Sequence, residues 1–286
     1  RPNAIARMLI TKQSGMVAVI ISSRANLNYP EVLSQLNRQL GEKNKRVLLF
    51  TLDEASDLDE LLDNIWTFQV DGVIALAAHF EHDSLERFAA QQIPVVLYNR
   101  NVPDSNANTV CCNHEKGIKQ LIDLLDQSNH KSYLIIAGPQ DSDVANERRT
   151  IAKKLIDQLG VKDVPIIYGD YSYDSAREVF SQWAAQNKLP DAIICSNDMM
   201  AIGVIDEIRE KLKLKVPEDI SVVGFDGVLA SSLYNYQLTT IQQPLEQLTK
   251  AAVDILLERI ENPDAAPESR VLSGMLIQGN SFIKRE

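Results

Sequence analysis

The chain has 286 residues, 45% hydrophobic and 24% charged, which at ~150 residues per domain predicts about two domains, each able to bury a core. Its formal net charge is −10; that excludes coating nucleic acid over a broad surface, because phosphate binding needs clustered Lys and Arg. Cys111, Cys112 and Cys195 make no disulfide framework and read as reduced thiols, and the chain has neither an opening signal peptide nor an apolar run of the ~18 residues that span a membrane.

The chain opens on Arg1 rather than Met and reads as a piece of something longer. Its first twelve residues carry Arg1, Arg7 and Lys12 and no acid, a short basic tip on an acidic body. Apolar, β-branched runs follow at Val17–Ile21, Val47–Phe50, Val73–Ala78, Val95–Tyr98, Tyr133–Ala137, Ile193–Cys195 and Val222–Phe225. They predict strands buried on both faces, as in parallel sheets. Between them Leu33, Leu36 and Leu40 share one helical face, and Ile118, Leu121, Ile122 and Leu125 repeat at i, i+3, i+4, i+7. Leu245, Leu248, Ala252 and Ile255 do nearly the same. Alternating strands and helices predict an α/β fold with right-handed crossovers, and the strand number favours two sheets. A polar stretch at Pro103–Asn108 marks the first crossing between them.

Enzyme signatures are absent: the sequence holds no G-x-G-x-x-G, Walker A loop, H-E-x-x-H, C-x-x-C or G-x-S-x-G. His79 and His82 stand beside Glu81 and Asp83, but read as a solvated loop and helix start rather than a metal site. The chain is read as a non-enzyme with no cofactor and no metal.

In open α/β sheets ligands bind beyond the carboxyl ends of the strands. Those ends carry Ser22–Tyr29, Asn99-Arg100, Asp141, Ser142 and Arg148, Asp170-Tyr171, Ser196-Asn197-Asp198, and Asp226. Asn, Asp, Arg and an aromatic suit a polyhydroxylated ligand, since carboxylate and amide take hydroxyl protons and an aromatic face covers the C–H side of a sugar. Each also has a plain structural reading: Asn197 caps the next helix, Asp226 and Gly227 make a turn, Tyr171 packs, and Arg148 is a helix-surface cation.

Arg1-Pro2-Asn3-Ala4-Ile5-Ala6-Arg7-Met8-Leu9 resembles the hinge of lactose-repressor (LacI/GalR) family transcription regulators. Ser196–Gly203, Val216–Asp226 and Leu238–Gln243 resemble that family's effector-domain core, in order along the chain. The resemblance implies two periplasmic-binding-protein-like (type I) doubly wound α/β subdomains with parallel sheets and a ligand cleft between them. It places a hinge segment at 1–12, an N-terminal subdomain at 13–112 and 244–267, and a C-terminal subdomain at 113–243 and 268–286. A helix-turn-helix headpiece would precede Arg1. Ala6, Arg7 and Leu9 would form the DNA hinge, with Leu9 wedged into the minor groove; so short a helix does not hold alone. Effector contacts would come from Arg148 and Asp226, with Asn197, Tyr171, Gln243, Asn99 and Tyr29 lining the site. The sequence departs from the family at Asn26-Leu27-Asn28-Tyr29, at Ile151 where a glycine is usual, and at Gly227 where a second Asp is usual. Val95–Arg100 looks closest to regulators of galactosides and β-glucosides.

The function implied is a cytoplasmic homodimeric regulator, a repressor, in which a mono- or disaccharide alters operator DNA affinity, with no membrane association. The alternative is a periplasmic sugar-binding protein of a transport system, which shares the fold but lacks a use for the hinge.

Overall fold

A computed structural model describes residues 13–22, 28–52, 58–76, 82–100 and 107–285. The hinge residues Ala6, Arg7 and Leu9, and the cluster residues His79 and Glu81, lie outside them. The chain divides into two units.

The first unit is a six-stranded sheet in the order β11-β5-β4-β3-β1-β2. Its strands are β1 (Met16–Ile21), β2 (Arg46–Thr51), β3 (Gly72–Ala75), β4 (Val95–Tyr98), β5 (Asn108–Cys112) and β11 (Ser269–Leu272). β1 lies parallel to both β2 and β3, β3 to β4, and β4 to β5. β3, β4 and β5 are buried along their whole length; this is why β3 and β4 read as continuous apolar runs, whereas β5 buries the polar Asn108 and Thr109. β2 departs from that expectation: it is an edge strand with Arg46, Leu49 and Thr51 exposed. One core joins Ala18, Ile20, Val73, Ala75 and Leu97 to Leu62 and Ile65 of α2 (Leu58–Thr67) and Phe88 of α3 (His82–Ala90). α1 (Tyr29–Glu42) and α8 (Leu245–Glu261) pack together, and α8 lies against β3 and β4. The buried face of α1 is Val32, Leu36 and Leu40, with Leu33 at its margin.

The second unit repeats the plan in the order β12-β10-β9-β8-β6-β7. Its strands are β6 (Tyr133–Ala137), β7 (Ile166–Tyr168), β8 (Ala192–Cys195), β9 (Ser221–Asp226), β10 (Thr239–Gln242) and the antiparallel β12 (Met275–Ile277). Residues alternate between faces. Leu134, Ile136, Ile193, Cys195 and Val222 pack against α6 (Tyr173–Ala184) and α7 (Asp198–Glu210). α4 (His114–Gln127) and α5 (Asp143–Gln158) pack on each other, α4 also against β10 and α5 against β6.

In both sheets the first strand of the unit lies between the second and the third, so the strand order reverses there. The carboxyl ends at such a point form a crevice.

The units divide at Cys111 and Cys112, at Pro244 and Leu245, and at Leu272 and Ser273. Residues 268–272 belong with the first unit because they dock on β5: Thr109 N donates to Glu268 O (2.9 Å), Thr109 Oγ1 to Ser269 Oγ (2.7 Å), and Glu268 N to Asn108 Oδ1 (3.1 Å). Such polar edge pairing leaves no hydrophobic pattern to read.

Candidate functional site

Three side chains from different elements of the second unit meet at the ends of β9 and β10. Arg148 sits on α5, whose first turn is capped by the Ser142 side chain accepting from Ala145 N. Its guanidinium is buried over the ring of Phe225, with Cζ 4.0 Å from the ring centroid, so the ring's π face helps hold the cation. Nη1 donates to Ser196 O (2.7 Å) and Nη2 to Asp226 Oδ1 (3.1 Å). Gln243 Nε2 donates to the same Oδ1 (2.6 Å). Asp226 closes β9, and Gln243 follows Gln242, its register partner on β10; strand pairing therefore sets both residues at one place.

Backbone conformation aims the site. Asp226 has φ 122° and Tyr171 φ 75°, both in the left-handed region that non-glycine residues rarely adopt. Strain of ~1–3 kcal/mol at such residues is held by the surrounding fold and concentrates at ligand sites. Gly227 follows at φ 70°, and a Cβ there would run into the backbone of Gln242. The position that carries a second Asp in the family is thus closed to any side chain here.

Asn197 and Tyr171 lie together but are bound to each other. Asn197 Oδ1 caps α7 by accepting from Met200 N (2.9 Å), and its Nδ2 donates to Tyr171 O (3.0 Å). The Tyr171 hydroxyl lies 3.1 Å from Ser142 Oγ. Capping therefore accounts for the amide oxygen of Asn197, and the contact with Tyr171 for its nitrogen.

Asn99 and Tyr29 belong to the first unit. Asn99 follows β4 at φ 57°, its N–H donating to Val110 O (2.7 Å). Tyr29 opens α1, and its hydroxyl accepts from Ser22 N (3.4 Å).

Sequence reasoning placed Asp198 only among the strand-end polar residues and gave His114 no role at the site. Asp198 is fully buried and ties α7 to the turn after β9 and to β10, accepting from Val228 N (2.9 Å) and Thr240 Oγ1 (2.6 Å). Burial and the neighbouring Asp226 charge push its pKa up to about 8. His114 packs edge-on to Phe225, ring centroids 5.5 Å apart, with Nδ1 2.9 Å from Glu147 Oε2. Burial and the Arg148 cation lower the His114 pKa, whereas the imidazole contact holds the Glu147 carboxyl below its usual range. Both shifts describe one state: a neutral imidazole donating Nδ1–H to a carboxylate, leaving Nε2 as an acceptor. Nothing local in the sequence signals this role of His114, because its partner Glu147 lies on another helix.

Among the described residues there is no cluster of three or more His, Cys, Asp or Glu that could hold a metal ion, and no helix is long and apolar enough to cross a membrane.

Residues 122–282 match the family described as a periplasmic binding protein-like domain. Catabolite control protein A of Priestia megaterium is 28% identical over 260 residues, covering 90% of this chain and 78% of that protein. The HTH-type transcriptional repressor PurR of Pasteurella multocida (strain Pm70) is 31% identical over 265 residues, covering 91% and 78%. A crystal structure of the lac repressor dimer bound to operator and the anti-inducer ONPF superposes with a TM-score of 0.90 at 25% identity, covering 99% of each chain.

Proposed function

The chain belongs to the lactose-repressor (LacI/GalR) family of transcriptional regulators, and from that premise we propose that it is a repressor whose operator affinity is set by a small sugar bound at Arg148, Asp226 and Gln243. Its relatives are transcription regulators, not enzymes. The single observation that carries the sugar reading is the Arg148–Asp226–Gln243 constellation. A carboxylate fixed by a guanidinium and an amide offers directed acceptors to ring hydroxyls, and Tyr171 adds an aromatic wall.

The effector acts by preferring one of two states of the dimer. A coupling of 1–3 kcal/mol changes operator affinity roughly 5–150-fold. The segment carrying Ala6, Arg7 and Leu9 is the DNA-contacting hinge in this reading, supported by its basic character and its likeness to the family hinge.

The second copy docks on apolar surface that each unit leaves exposed. In the second unit Leu229, Leu233 and Tyr234 are exposed together just after Asp226. In the first, Leu49 of edge strand β2 and Phe68, whose ring lies 6.3 Å from that of Phe50, are exposed. Clustered exposed apolar side chains mark interaction surface.

The test is thermal stabilisation by a panel of mono- and disaccharides. A sugar at 100 times its Kd stabilises the protein by about 2.7 kcal/mol. Arg148→Ala and Asp226→Ala are expected to abolish that gain while keeping a native far-UV circular dichroism spectrum. Full stabilisation in either folded variant overturns the site assignment.

A further inference from the structure

The amino ends of β9 and β10, opposite the ends that carry Asp226 and Gln243, are closed by a strap of residues 281–285. Ser281 is buried there: its carbonyl accepts from Val222 N (2.8 Å), and its hydroxyl donates to Val222 O (2.6 Å) and accepts from Thr239 N (2.8 Å). The far end of the strap is tied to the residues that join α4 to β6. Arg285 N donates to Ser128 O (2.9 Å) and Asn129 Nδ2 to Arg285 O (3.1 Å). The Arg285 guanidinium donates to Asp219 O (2.6 Å) and Asp191 O (3.2 Å) and lies 3.5 Å from Asp191 Oδ1. Between these two anchors Ile283 N donates to Ser221 Oγ (3.3 Å).

A buried histidine holds the same serine oxygen. His130 Nδ1 lies 2.8 Å from Leu125 O, and its Nε2 lies 2.8 Å from Ser221 Oγ. A carbonyl only accepts, so Nδ1 carries the hydrogen and Nε2 of the neutral ring accepts from the Ser221 hydroxyl. That hydroxyl thus spends its proton on His130 and a lone pair on Ile283. The backbone beneath the ring is fixed as well, with the Tyr133 hydroxyl donating to His130 O (2.9 Å).

A second proton on the ring reverses the bond. Nε2 becomes a donor, and the Ser221 hydroxyl must turn its own proton away from it inside a buried site, which costs free energy. The new cation also faces Lys131 and Arg285. Asp191 opposes them, but it already accepts from Lys131 N and Ser132 N. Burial lowers the His130 pKa from 6.5; the Leu125 carbonyl and Asp191 work against the shift, and Arg285 and Lys131 add to it. The closed strap therefore takes up the proton less readily than an open one, and falling pH favours opening.

We propose that His130 and Ser221 form a proton-gated latch: acidification charges the His130 ring, breaks its hold on Ser221, and frees the strap from Ile283 onward while the rest of the second unit stays folded.

Amide hydrogen exchange, read against the intrinsic rate at each pH, tests this alongside long-range proton–nitrogen spectra of the four histidines. From about pH 7.5 to about pH 5, protection at Ile283 and Arg285 should fall at least about tenfold, in step with titration of His130, while the amides of β8 keep theirs. At the upper pH the His130 ring should carry its hydrogen on Nδ1. His130→Gln keeps an acceptor for Ser221 but takes up no proton, and should make strap protection independent of pH. Ser221→Ala should expose the same amides at neutral pH and remove the acid response. Should either variant fail to fold, the parent chain decides by the coincidence of the two titrations. Constant protection down to about pH 5 overturns the latch. So does a loss out of step with His130, one that persists in folded His130→Gln, or one shared by β8.

Discussion

Asp198 shows how much a single residue of this fold depends on its neighbours. Its carboxyl has no exposed surface and holds Val228 N and Thr240 Oγ1, so it fixes the turn that presents Asp226. Its pKa rises from 3.8 to about 8 on folding. Between those values the folded state keeps a proton that the unfolded chain has released. The stability it contributes is complete below 3.8 and is lost as pH rises through about 8. His114 has the opposite sign. Its pKa is lowered from 6.5, so its contribution is present above 6.5 and is lost on acidification. In Asp198→Asn the amide oxygen still accepts from Val228 N while the Thr240 hydroxyl can turn to accept from the amide. Melting temperatures followed from pH 6.5 upward through about 8 should fall less steeply in this variant than in the parent. Parallel slopes would refute the assignment. The capping role of Asn197 was legible in the sequence because capping is local. Asp198 was not, because its partners lie 30 and 42 residues away.

At the scale of elements, the second unit owes the placement of its site to α7, which begins at the residues just discussed. α7 lies so close to α6 that a Cβ at Gly203 would collide with the backbone carbonyl of Tyr173. Gly203→Ala must push the two helices apart and shift the start of α7. We expect a loss of ~1–3 kcal/mol in urea unfolding, typical of overpacking, together with weaker ligand-induced stabilisation. Unchanged values for both would show that the close approach is not needed. The interior strands β1, β3, β4, β6, β8 and β9 were legible as apolar runs because neighbours cover both their faces. β10 was not. Thr239 and Thr240 are buried in it, but their polar groups are satisfied by remote partners: Thr239 N donates to Ser281 Oγ (2.8 Å) and Thr240 Oγ1 to Asp198. β11 and β12 are short edge strands with no buried residue.

At the scale of the whole molecule, the proposed dimer makes a separate prediction. Leu233 is 54% and Tyr234 88% exposed, on a loop held in shape from α7: Arg209 donates to Asn235 O and the Tyr236 hydroxyl to Asp206. A stable dimer buries ~1,600 Å² in total, so the apolar loop is one part of a larger face. Sedimentation velocity at micromolar concentration should give a dimer. The double variant Leu233→Asp, Tyr234→Asp should sediment as a monomer, with its circular dichroism spectrum unchanged. A variant that remains dimeric would exclude this loop from the interface.

The sequence by itself determined the alternation of buried strands and amphipathic helices, the number of sheets, and the strand ends where polar residues gather. These follow from periodicity and burial, which are local properties of the chain. Its acidic balance excluded broad nucleic-acid contact but left the basic tip of Arg1, Arg7 and Lys12. Tertiary structure alone decided which polar groups are spent and which remain open. Arg148 reads in the sequence as a helix-surface cation, yet it is buried and bonded to Ser196 and Asp226, which lie 48 and 78 residues away. Asp226 Oδ1 also accepts from Gln243 Nε2; such hydrogen-bond satisfaction is settled in three dimensions and leaves no trace in spacing.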